Sequence, residues 1–102
     1  MMPKTIGQQI RELREANDLP LRKVAAAVDI DQSILSKIER GERRATRELI
    51  IKFAELFNVD EKQMLINYFS DKVLYEIVNE EFASEILKVA EAKVEYLNKP
   101  KR

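Results

Sequence analysis

Apolar residues recur along this chain at three- and four-residue intervals, the pattern of helices with one buried face. Ile6, Ile10 and Leu13 form the first stripe, which stops before Asn17-Asp18. Ahead of it, Thr5-Ile6-Gly7-Gln8 has the Thr-x-x-Gln form of a capping box, in which each side chain satisfies a free N–H of the first turn. Val24, Ala25 and Val28 make a second, shorter stripe. Pro20 suits the first turn of that helix, where a missing N–H costs nothing. Asp29 falls where the chain must turn sharply, and aspartate tolerates left-handed backbone better than most residues. Asp31 is placed to cap a third helix, Gln32 to Arg40, with Ile34, Leu35 and Ile38 apolar and Gly41 as its stop.

Thr46 is the expected cap of a fourth helix that turns Leu49, Ile50, Phe53, Ala54, Leu56 and Phe57 inward. Asp60-Glu61-Lys62-Gln63 is a second capping box, opening a fifth helix with Met64, Leu65 and Tyr68. Ser70-Asp71 reads as a fresh helix start leading through Val73, Leu74, Ile77 and Val78. A last helix over residues 80–97 lines up Ala83, Ile86, Leu87, Ala90, Val94 and Leu97, with Glu85, Lys88, Glu91 and Lys93 elsewhere. Such an amphipathic surface either folds back on the domain or pairs with a second chain. The fold class is therefore all-α.

Composition narrows the chemistry. The 102 residues include no His, no Cys, no Trp and only two Gly. A chain of this length buries only about two-thirds of its unfolded surface, so a dimer would add useful core. Without Cys there is no disulfide, no thiolate metal site and no thiol nucleophile. Without His the commonest general acid/base and metal ligand is missing. Glu80-Glu81 and Glu85 resemble a carboxylate pair, but acids at a helix start also favour the helix dipole, and no second catalytic group supports them. The expectation is a protein with no catalytic residues, no metal and no cofactor. Met1-Met2-Pro3-Lys4-Thr5 lacks the apolar run of a secretory signal, and no run of about 18 apolar residues spans a membrane. The expected location is the cytoplasm.

The chain carries 18 basic and 18 acidic residues, but they are not mixed evenly. Residues 1–52 hold 11 basic against 8 acidic, whereas residues 53–98 hold 4 basic against 10 acidic. The densest basic segment is Lys37 to Arg47, with Lys37, Arg40, Arg43, Arg44 and Arg47 against Glu39 and Glu42. A basic face and an acidic element in one small chain fit one nucleic-acid surface and one protein surface, and equally a solvated cluster at helix ends.

Short helices with a sharp turn between the second and third match a helix-turn-helix. Ile6-Gly7-x-x-Ile10-Arg11-x-Leu13-Arg14, Val24-Ala25, Ile30-Asp31-x-Ser33-x-Leu35-Ser36-Lys37-Ile38-Glu39-Arg40-Gly41 and Phe53-Ala54-x-x-Phe57-x-Val59 together resemble the Cro/C1-type repressors, also called the Xre family. The likeness implies a five-helix DNA-binding domain over residues 1–66. A helical extension over 67–98 would dimerise, and 99–102 would be a basic tail.

It further implies that helix 32–40 enters the major groove of a double-stranded operator. Gln32 would read a base, since its amide pairs bidentately with adenine. Ser33 and Ser36 would bond a base or a phosphate, and Lys37 a guanine or a phosphate. Arg40, Arg43, Arg44 and Arg47 would neutralise phosphates, which positions the protein without reading sequence. Arg14 and Glu39 would form an intramolecular pair. The chain departs from the family in having Leu21 where Gln usually binds a phosphate, so that anchor falls to backbone N–H groups, Arg22 or Lys23.

Ile77, Ile86, Leu87, Ala90, Val94 and Leu97 are the expected dimer contacts, for a homodimer that sets two recognition helices one DNA turn apart. No small-molecule ligand is evident. The implied function is a bacterial transcription regulator, associated with the nucleoid when bound. A restriction-modification controller, a phage-type repressor and an antitoxin all fit. The alternative is a helix-turn-helix-fold interaction module that does not bind DNA specifically.

Overall fold

The computed structural model describes residues 3–100, so Met1, Met2 and the last two residues of the expected basic tail, Lys101 and Arg102, lie outside the described residues. Among them are six helices and no strand: α1 (Ile6–Ala16), α2 (Leu21–Ala27), α3 (Gln32–Glu39), α4 (Arg47–Phe57), α5 (Glu61–Ile77) and α6 (Ala83–Leu97). The chain divides into two compact units between Asp71 and Lys72.

In the first unit the helix ends follow one design. Helices α1 to α4 all finish in paired bonds of the Schellman type, in which the two amides after the cap turn back to the last free carbonyls. The pairs are Asp18 N to Glu15 O with Leu19 N to Arg14 O, and Asp29 N to Ala26 O with Ile30 N to Ala25 O. Next come Gly41 N to Ile38 O with Glu42 N to Lys37 O, and Asn58 N to Glu55 O with Val59 N to Ala54 O. The motif needs one left-handed residue, and Asp18, Asp29, Gly41 and Asn58 supply it at φ of 52°, 60°, 76° and 54°. Three of these are Asp or Asn, which explains how a chain with so few glycines turns so often. The residue after each is apolar and partly buried at Leu19, Ile30 and Val59. The fourth is Glu42, which instead lies exposed after α3.

The helix starts vary more. Thr5 and Gln8 form the full capping box at α1, and Thr46 accepts from the Leu49 amide at 3.1 Å. Pro20 precedes α2 as its N-cap, one residue earlier than the first-turn place its ring chemistry predicts. Asp31 is the N-cap of α3, but its side chain makes no capping bond. Asp60 accepts from the Lys62 amide at 3.1 Å ahead of α5.

The core of the first unit is Ile6, Ile10, Val24, Ala25, Val28, Leu35, Ile38, Ile50, Phe53, Ala54, Met64 and Tyr68. Phe53 and Phe57 stack with ring centroids 6.4 Å apart. Leu56, expected to point inward, is exposed because it falls off the arc shared by Ile50, Phe53, Ala54 and Phe57. Helix α3 packs against both α1 and α2. Its contact with α1 is close enough to require glycine: a Cβ on Gly7 would run into the Ile38 carbonyl and stand 2.8 Å from that of Glu39.

No new helix starts at Ser70-Asp71; α5 runs through these residues unbroken. The Ser70 hydroxyl donates to the Asn67 carbonyl within the helix at 2.7 Å, so it is spent on its own preceding turn. Asp71 is buried and accepts from the Ile6 amide at 2.8 Å, capping a helix that begins 65 residues earlier.

The second unit holds the end of α5, a turn, and α6, which starts at Ala83 rather than at residue 80. No residue of α6 is buried.

Gly7→Ala tests the α1–α3 approach. The added methyl meets backbone, which cannot rotate away, so overpacking outweighs the better helix propensity of alanine. The expected loss is about 2 kcal/mol in urea unfolding. An unchanged or raised midpoint would contradict the close contact.

Candidate nucleic-acid interface

Helix α3 has two opposed faces. Leu35 and Ile38 are 0% and 3% exposed and point into the core. Gln32, Ser33 and Lys37 are exposed, and Ser36 is half-buried between the two faces. Eight residues make a helix too short to hold itself in water, so its orientation comes from what it packs on.

The main polar hold is the pairing of Arg14 with Glu39. Arg14 Nε donates to Glu39 Oε2 at 2.8 Å and Nη2 to Oε1 at 3.0 Å, a two-pronged match of guanidinium and carboxylate. The side chains are 14% and 5% exposed. A third donor, Nη1, bonds the Leu19 carbonyl at 3.1 Å, tying the same arginine to the end of α1. The hydrogen bond that Arg14 donates to Glu39, together with the Glu39 charge, raises the Arg14 pKa against the opposing effect of burial. The two side chains thus satisfy each other inside the molecule.

Arg40 is also engaged. Its Nε donates to Glu42 Oε2, and its Nη1 donates to the Ser36 hydroxyl. This exposed pairing raises the Arg40 pKa and lowers that of Glu42, in both cases chiefly through the hydrogen bond between them. Of the two Ser/Arg groups expected to face DNA here, each spends a bonding group on the other in the free protein. Arg43 and Arg44 follow on the exposed segment between α3 and α4, and Arg47 opens α4. Arg22 and Lys23 sit exposed in the first turn of α2, whose N-cap Pro20 offers no side-chain bond.

A sequence profile of the helix-turn-helix family matches residues 10–63. The chain belongs to the Cro/C1-type helix-turn-helix family. It is a DNA-binding transcriptional regulator. The restriction-modification controller C.AhdI from Aeromonas hydrophila is 30% identical, covering 58% of this chain and 89% of its own, with a TM-score of 0.54. Two further structures share the fold. A hypothetical protein from E. coli is 24% identical over 96% of this chain and all of its own, with a TM-score of 0.66. The clp gene regulator ClgR from Corynebacterium glutamicum is 22% identical over 83% of this chain and 88% of its own, with a TM-score of 0.56. No curated protein matches the chain in sequence.

The regulator's second unit presents its apolar side chains outward. Ile86, Leu87, Ala90, Val94 and Leu97 are all exposed, Leu97 to 77%, while Ile77 at the end of α5 is half-buried. Sequence reasoning missed a second exposed set, Phe82, Val89 and Tyr96. Lys93 interrupts the two stripes at helical spacing, a signal that was available in the pattern. Among the described residues no helix is long and apolar enough to cross a membrane.

Removing Glu39 while leaving Arg14 strands a guanidinium that is mostly out of water. Glu39→Ala is expected to lower stability by about 3–5 kcal/mol, read from urea unfolding. An Arg14→Met/Glu39→Met double variant should lose less than Glu39→Ala. A loss below about 1 kcal/mol for Glu39→Ala, the size of a surface ion pair, would contradict the assigned role.

Proposed function

We propose that this regulator binds an inverted-repeat operator as a homodimer, with α3 of each protomer in a major groove. The observation that carries the reading is the division of α3, with Gln32, Ser33 and Lys37 outward and Leu35, Ile38 and Glu39 held inward. In the reading, Gln32 pairs with adenine, while Ser33, Ser36 and Lys37 contact base edges or phosphates. Arg22, Lys23, Arg40, Arg43, Arg44 and Arg47 contact phosphates on either side. Arg40 and Ser36 first give up their bonds to Glu42 and to each other, so they contribute less than the exposed Arg43.

Residues 1–66 do the reading, and 67–98 supply dimer contacts through Ile77, Ile86, Leu87, Ala90, Val94 and Leu97. Among the described residues fourteen large exposed apolar side chains support this, twelve of them from Phe69 onward. The protein works in the bacterial cytoplasm by binding rather than by catalysis. The likeness to C.AhdI favours a restriction-modification controller over a phage-type repressor or an antitoxin.

Selection from random duplex DNA tests the proposal, and absence of any enriched sequence across salt concentrations would overturn it. On the selected operator, Gln32→Ala should cost about 1–3 kcal/mol and relax preference at one base position in each half-site. Arg43→Ala should weaken all sequences alike and reduce the salt slope by about 1. A Gln32→Ala variant that kept its full preference would remove Gln32 from the base-reading set.

A further inference from the structure

Helix α6 has 15 residues, and none of them is buried. A helix of that length is marginal in water by itself, and its stability comes from covering its apolar face. Its apolar positions form two stripes. Ile86, Ala90, Val94 and Leu97 belong to the first. Phe82, Val89 and Tyr96 make the second, 58%, 55% and 74% exposed and about a quarter of a turn round the helix. Along the second stripe lies an apolar hollow of about 430 Å³, lined by Val89, Ala92, Lys93, Tyr96 and Leu97.

This second stripe reads alike from either end. Phe82 and Tyr96 stand seven residues before and after Val89, and Glu85 and Lys93 stand four before and after it. At 3.6 residues per turn, steps of seven and four return to within about 20° and about 40° of the starting line, so all five share one face. Aromatic mirrors aromatic, and acid mirrors base, about a central valine. Glu85 and Lys93 are exposed, and among the described residues neither forms an ion pair. Eight residues apart, about 12 Å along the axis, they do not reach each other within one helix.

Such a face is complementary to itself under a two-fold axis. We infer that it pairs antiparallel with α6 of a second copy, with Val89 on the axis, Phe82 against the partner's Tyr96 and Glu85 against the partner's Lys93. This rests on the homodimer reading above and gives it a register. A parallel pairing would set Lys93 beside the partner's Lys93 and Glu85 beside the partner's Glu85, and like charges disfavour it. A wholly apolar partner would leave the Lys93 ammonium facing hydrocarbon, which is costly, whereas the antiparallel copy brings it a carboxylate. The partner's Phe82 enters the hollow beside Tyr96, where Ala92 leaves room for a ring. The first stripe borders this seam on one side and extends it.

The test uses the full-length chain, which has no cysteine of its own. Val89→Cys is expected to form an intersubunit disulfide under mild oxidation, because the two copies of this position face each other across the axis. Glu91→Cys, on the opposite side of α6, should stay unlinked. In sedimentation, Glu85→Lys and Lys93→Glu should each weaken dimerisation about 10-fold, since two-fold symmetry turns two attractions into two repulsions. The double variant Glu85→Lys/Lys93→Glu should return to within about 3-fold of wild type. Lost helix stability alone gives no such rescue, because Glu85 lies in the first turn, where an acid favours the helix dipole, and the double variant keeps that loss. A dimeric wild type whose double variant is no better than the single ones, or whose Val89→Cys variant links no faster than Glu91→Cys, overturns this inference and leaves the dimer reading standing. A wild type that sediments as a monomer overturns both.

Discussion

The bidentate contact between Arg14 and Glu39 is the constraint on which the reading surface depends. Helix α3 is only eight residues long, and an isolated helix of that length is mostly unfolded in water. It is helical, and aimed, because three things hold it. Leu35 and Ile38 sink into the core, Gly7 lets the backbone of α1 come against its last turn, and Arg14 grips Glu39 from α1. Remove the charge pair and the apolar contacts still bury α3, but with less to choose one rotation over another. The pair is spent inside the molecule, and it leaves Gln32, Ser33 and Lys37 on the exposed face that the proposed complex would use.

The same economy governs the connections. Four successive helices end in one backbone motif, so each short link is set by hydrogen bonds rather than by length alone. Where the link is structural, an apolar residue follows the left-handed one and packs inward. After α3 the follower is Glu42, exposed and bonded to Arg40. The motif thus turns outward after α3, where Glu42 keeps Arg40 in a bonded pair, and in the proposed complex phosphate would compete with Glu42 for Arg40.

Much of this was legible in the sequence, because caps and stripes are local. Thr5 and Gln8 lie three residues apart and can only serve the helix between them. The buried faces of α1, α3 and α4 follow from helical spacing, with Leu56 the exception at the edge of its arc. The family resemblance added the Arg14–Glu39 partnership, which spacing alone cannot reveal. What escaped was long-range. Ser70-Asp71 has the local look of a helix start, yet Asp71 caps α1 from 65 residues away while α5 passes straight through. Nothing within ten residues of Asp71 distinguishes a residue that starts its own helix from one that caps another. Gly7 was visible as part of a motif, but its physical reason, a backbone-to-backbone approach, needed the packed structure.

In the proposed complex α3, held this way, reads the major groove of a two-fold operator. Methylation interference on the selected operator tests it most directly, because dimethyl sulfate marks guanine N7 in the major groove and adenine N3 in the minor groove. N7 methylation is expected to block binding in two clusters centred about one helical turn apart, on one face of the DNA. Interference confined to adenine N3, or none at any guanine of the selected operator, would contradict it.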